Sequence, residues 1–148
     1  MRIFYLFILL AALPASLAAQ KLPRVGRIKD YPATGLTAGC GNLYFYFERR
    51  TGRTGADYVF ISNGDGTLVW MNLDGRDTAL KIVKTPKTIK IPFRANYLWK
   101  RILIDVFVED FKPPDAPYAE GDSMFRMKII LRRGRALKTI RAVGDADC

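Results

Sequence analysis

Between Asp57 and Lys84, side chains of different character alternate with a period of two, in short runs separated by turn residues. Tyr58, Phe60 and Ser62 alternate with Val59 and Ile61, and Asn63-Gly64-Asp65-Gly66 follows. Leu68, Trp70 and Asn72 then alternate with Val69, Met71 and Leu73. Asp74-Gly75 closes that run and Leu80 to Val83 opens the next. A period of two places successive side chains on opposite faces of a strand. Asn-Gly and Asp-Gly accept the positive φ that tight hairpin turns require. The stretch predicts three short strands joined by two turns.

The same pattern continues on both sides. Asn42 to Glu48 puts Leu43, Phe45 and Phe47 on one face and Tyr44 and Tyr46 on the other, an aromatic composition suited to a pleated, largely buried surface. Arg49 to Gly55 reads as a charged loop and Thr85 to Lys87 as a turn, with a short strand over Thr88 to Pro92. Phe93 to Lys100 fits either a strand or a helix of about two turns, because short apolar runs carry too few periods to decide. Arg101 to Asp110 is rich in β-branched residues, with Ile102, Ile104, Val106 and Val108 on one face and Leu103, Asp105, Phe107 and Glu109 on the other. Lys112 to Asp122 is a loop and Ser123 to Leu131 a strand. Arg132 to Arg135 is a turn around Gly134, Ala136 to Val143 the last strand, and Gly144 to Cys148 a tail.

The expected fold is all-β: a single antiparallel β-sandwich or small β-barrel of about 7–9 strands, with at most one short helix. The β domain is expected over residues 42–148, preceded by an irregular lead-in over 20–41 with one short edge strand near Gly35 to Ala38.

Residues 1–19 stand apart. Arg2, the apolar stretch Ile3 to Leu13 and the small residues of Pro14 to Ala19 have the layout of a cleaved secretory signal peptide. A retained anchor is the alternative, although it needs about 20 apolar residues. No other stretch is long and apolar enough to span a membrane as a helix, so the mature form is expected to lack a transmembrane segment. Localisation is expected to be periplasmic or secreted.

Export changes the reading of charge and cysteine. The chain carries +10 at pH 7, and +9 once Arg2 leaves with the signal. A basic exported domain favours anionic partners such as an envelope polymer or an acidic protein, although net charge also serves solubility alone. The two cysteines, Cys40 and Cys148, form one disulfide if both are oxidised within the chain, closing a loop that contributes about 4 to 5 kcal/mol in the loop-entropy account. Free thiols or an intermolecular bond are the alternatives. Leu36 to Cys40 resembles a lipidation box, but the charged residues 21–35 before it argue against one.

The sequence contains no histidine, which removes Ser-His-Asp and Cys-His catalysis and His-ligated metals. Asn63 to Thr67 resembles the middle of a calcium loop, but Ile61 and Asn72 fall where its first and twelfth ligands belong, so a plain turn is expected. Asp105 and Glu109 share a strand face and are the one candidate carboxylate pair for acid/base work. Trp70, Tyr97 and Trp99 are more naturally core than a ligand platform. Neither catalytic residues, cofactor nor metal are assigned, and no nucleic-acid motif is present.

The basic residues are clustered. Thr78 to Ile104 carries Lys81, Lys84, Lys87, Lys90, Arg94, Lys100 and Arg101 without an acid. Ser123 to Val143 carries Arg126, Lys128, Arg132, Arg133, Arg135, Lys138 and Arg141, again without one. If the two segments lie together in one sheet they make a positive face; otherwise the charge is spread around a solvated rim. The expected anion-binding residues are Arg132, Arg133 and Arg135 with Lys128 and Lys138.

Gly39-Cys40-Gly41, Tyr58 to Ser62, Trp70-Met71-Asn72-Leu73-Asp74-Gly75 and the closing Val143 to Cys148 together resemble a group of small exported bacterial β-domain proteins of unknown function. In that group a Cys-Gly-Cys stands at the place of Cys40-Gly41-Asn42 and another near the end. The resemblance therefore implies a Cys40–Cys148 bridge, and it brings no activity. A more distant similarity is to the small β-barrel inhibitors of lysozyme, although a basic chain is poorly suited to a basic target. The functional expectation is an exported, non-catalytic β domain that binds an anionic envelope component or acidic partner. Its alternatives are a hydrolase inhibitor acting through the Lys112 to Asp122 loop, and a carboxylate enzyme built on Asp105 and Glu109.

Overall fold

The computed structural model describes residues 21–29, 42–47, 58–64, 66–87, 90–110 and 124–146. The signal-peptide stretch, the Gly35 to Ala38 strand, the Arg49 to Gly55 and Lys112 to Asp122 loops, and both Cys40 and Cys148 lie outside these residues. Ten strands are described: β1 Val25–Gly26, β2 Leu43–Phe47, β3 Tyr58–Ser62, β4 Val69–Leu73, β5 Arg76–Ala79, β6 Lys81–Lys84, β7 Phe93–Trp99, β8 Ile102–Asp110, β9 Met124–Arg133 and β10 Ala136–Ala146. Among the described residues there is no helix.

All pairings are antiparallel, in the order β1-β4-β3-β2-β10-β9-β8-β7-β6, with β5 on the other edge of β4. β5 pairs with β4 near one end of the order and β6 with β7 at the other, and only Leu80 separates them. One continuous stretch of chain thus ties the two ends of the curled sheet. Alternation does the rest. Ile104, Val106 and Val108 of β8, Met127, Ile129 and Leu131 of β9, Phe45 of β2 and Met71 of β4 point inward and are buried in one core. Phe60 meets Phe45 and Tyr97 edge-on in that core, at 6.0 and 6.1 Å between ring centroids.

Turn chemistry sets the registers. Asp74 and Gly75 both have positive φ, 53° and 81°, between the paired Leu73 and Arg76, as a type I′ hairpin demands. The Asn63 to Thr67 turn is a side-chain staple. Asn63 Oδ1 accepts the Leu68 N–H at 2.8 Å and Asn63 Nδ2 donates to Thr67 Oγ1 at 2.9 Å. The side chain that would serve a cation is spent on its own backbone, and no group of three or more metal-ligating side chains occurs among the described residues.

At five places the structure completes or changes the reading of the sequence. Phe93 to Trp99 is strand β7, paired along its whole length with β8 and not a helix; a long ladder partner outweighs the weak helical periodicity. No strand covers 90–92, since Pro92 has no N–H to give a ladder and β7 begins after it. Arg76 to Ala79, polar and unassigned in sequence, is strand β5, held against β4 by the hairpin turn. The lead-in is not wholly irregular. Val25 and Gly26 pair with Leu73 and Asn72, the Arg24 N–H donates to Asp74 Oδ1 at 2.8 Å, and the Lys29 N–H donates to Asp77 Oδ2 at 2.8 Å. Finally, β10 runs through the expected tail to Ala146. Gly144 is buried there, and a Cβ on it would stand 1.9 Å from the Tyr44 carbonyl oxygen.

Candidate functional site

The strands that bury one set of side chains present the alternate set on the outer face. On β7 to β10 that set is charged. Register fixes its layout as rows running across the strands. Arg94 of β7 lies opposite Phe107 of β8, Phe107 opposite Lys128 of β9, and Lys128 opposite Arg141 of β10. One row along, Asn96 faces Asp105, and Asp105 faces Ile130. On the other side of the first row, Glu109 faces Arg126. This face holds a groove of about 850 Å³, with Lys84 of β6 in its lining. Six cationic side chains line it, Lys84, Arg94, Arg126, Lys128, Arg132 and Arg141, against the carboxylates of Asp105 and Glu109, which leaves +4.

Several of these groups are held in place. Asp105 accepts from Asn96 Nδ2 at 2.6 Å through one oxygen and pairs with Arg132 Nε at 2.6 Å through the other. The Arg132 side chain is half exposed, so this pair organises the groove more than it stabilises the fold. The Arg94 guanidinium sits 5.1 Å over the Phe107 ring, a cation–π contact that fixes a long side chain against the groove floor. Lys128 and Arg141 are exposed.

The two basic segments of the sequence do meet on one face, with acid-bearing β8 between the basic strands. The expected anion-binding set, however, is divided. Lys128 and Arg132 line the groove. Arg133, its neighbour in sequence, faces the other way into a smaller hollow of about 320 Å³ with Trp99, Lys100 and Arg101, where the Lys100 ammonium lies 4.4 Å from the Trp99 ring centre. Arg135 is exposed in the β9–β10 turn. Lys138 donates to the Pro23 carbonyl at 3.2 Å and so helps to anchor the N-terminal segment. Lys84, Arg94, Arg126 and Arg141 take the vacated places. Alternation within each strand already put Arg94, Arg126 and Arg141 on polar faces; cross-strand register, which brings them together, is not written in any one strand.

Asp105 and Glu109 are four residues apart on one strand, hence about 13 Å. Paired carboxylates that share a scissile bond stand about 5 to 9.5 Å apart. The two are therefore placed to flank the groove, with Phe107 between them. The outer face over β2 and β3 differs. Ile28, Tyr44 and Ile61 form a second buried cluster outside β2 and β3, with Tyr58, Leu68 and Trp70 packed against it. The Ile28 N–H donates to the Tyr58 carbonyl at 2.7 Å, so the N-terminal segment covers that face.

Compared with family models, with characterised proteins and with solved structures, the chain finds a match in none of the three.

Proposed function

We propose that the protein is an exported, non-catalytic β domain that binds an anionic envelope component through the outer face of β6 to β10. The observation that carries this reading is the groove itself. Six cations drawn from two separate basic segments converge on one concavity, against two carboxylates. Like charges gathered at this density repel one another, and an anionic ligand relieves that repulsion. The remaining outer aromatic surface over β2 and β3 is already covered by the N-terminal segment, which leaves the charged face as the better docking surface. Export rests on the signal-like residues 1–19.

The test is retention of the mature protein on immobilised anionic envelope polymer at low and at high salt. Retention at low salt that falls steeply as salt rises is the expected result, because partly exposed charges are screened within about 10 Å at moderate ionic strength. Absence of retention at low salt contradicts the reading.

A further inference from the structure

We infer that the groove takes a linear phosphate chain, laid across the strands along the single row Arg94–Phe107–Lys128–Arg141. The inference rests on the anion-binding reading above and narrows it to a ligand class and a path.

Three observations set the path. First, the carboxylates divide the cations into two kinds. Arg132 is paired with Asp105, and Arg126 lies opposite Glu109 in register. Among the described residues, Arg94, Lys128 and Arg141 have no carboxylate opposite them in the ladder. Second, Asp105 and Glu109 stand two residues to either side of Phe107, about 7 Å along the strand in each direction. An anionic group that strays from the row therefore meets a carboxylate. Third, the row crosses four adjacent strands, about 14 Å at the usual strand spacing. That length suits several anionic groups in series and exceeds a lone phosphate.

The floor selects the chemistry. Along the row, β8 and β9 have a paired neighbour on both sides, so their backbone donors and acceptors are engaged in ladders. Over these two strands recognition comes from side chains alone. An acidic peptide crossing β8 and β9 would desolvate its own backbone N–H groups with no sheet edge there to receive them. A phosphate chain has no such donors and offers each guanidinium a pair of oxygens to bind at once.

Calorimetric titration of the mature protein with orthophosphate, pyrophosphate, tripolyphosphate and long-chain polyphosphate tests this, with hexaglutamate as the peptide arm. Affinity is expected to rise with each added phosphate and to exceed that for hexaglutamate. Arg94→Gln, Lys128→Gln and Arg141→Gln are each expected to weaken tripolyphosphate binding about tenfold. Arg133→Gln/Arg135→Gln, outside the row, is expected to change it less than about twofold. All these positions are at least partly exposed, and unchanged thermal melting shows that the variants fold. The row is overturned if orthophosphate binds as tightly as tripolyphosphate, if hexaglutamate binds more tightly, or if the three row variants bind like the wild type. Each of those results leaves the anion-binding reading standing, whereas a failure to bind even long-chain polyphosphate at low salt ends both.

Discussion

The outer faces of β2 to β4 and of β7 to β10 belong to one sheet and obey the same alternation, yet they have opposite fates. The first presents Tyr44, Tyr46, Ile61 and Trp70, and a returning N-terminal segment packs Ile28 onto it. The second presents Arg94, Asp105, Lys128 and Arg141, and no described segment packs over it. Inward side chains are apolar in both regions except for Ser62 of β3, so the core hardly distinguishes them. Apolar outer side chains attract a covering segment from the same chain; cationic ones repel such a cover and leave a surface for something else.

The seam between the two regions offers the largest expected effect. Gly144 joins β10 to β2, and any Cβ there strikes the Tyr44 carbonyl. Gly144→Ala is expected to cost at least about 3 kcal/mol, read as a fall in the urea midpoint. Equal midpoints for variant and wild type would remove the close approach from the account. On the covered face, Ile61→Ala is expected to cost about 3 kcal/mol, because its side chain is fully buried beneath the N-terminal segment. A cost near zero would mean that this face is open like the other.

Tyr97 sharpens what the shared core contributes. Burial pushes its phenol well above the ordinary value of 10.0. The unfolded chain ionises this tyrosine first, so the folded state loses stability as pH rises past 10.0, by up to about 1.4 kcal/mol per pH unit. Below that pH the group has no effect. Tyr97→Phe is expected to flatten the alkaline part of the stability curve, and an unchanged curve would show that the phenol is hydrated when folded.

The smallest effects belong to the open face. Asp105→Asn removes one half-exposed ion pair and is expected to cost less than about 1 kcal/mol. Lys128→Gln and Arg141→Gln are expected to change stability by no more than about 0.5 kcal/mol while altering anion affinity. Large losses of stability at these positions would make the groove a structural feature of the fold.

Much of this was legible in the chain. The period-two runs and the Asp74-Gly75 turn foretell an all-β fold, and within β8 and β9 the alternation assigns nearly every side chain to its face. What escaped has physical reasons. β5 is a strand because β4 and the turn before it impose pairing on Arg76 to Ala79, residues with little strand preference of their own. Gly144 looks like a breaker, but the crowding that demands a glycine arises only once β2 arrives beside β10. Ile28 covers an aromatic face that lies far from it in sequence. The groove was half readable: the basic segments and their polar faces were evident, whereas the parting of Arg133 and Lys138 from Lys128 and Arg132 depends on side-chain direction at the strand end and on where the N-terminal segment docks.

Chemical-shift mapping of the ¹⁵N-labelled mature protein during titration with tripolyphosphate at low salt locates the bound anion on the sheet. Perturbations are expected on Arg94, Phe107, Lys128, Arg141 and their row neighbours, with none over Tyr44, Ile61 and Trp70. Perturbations centred on Trp99 to Arg101 and Arg133, or spread evenly over both faces, would contradict binding along the row.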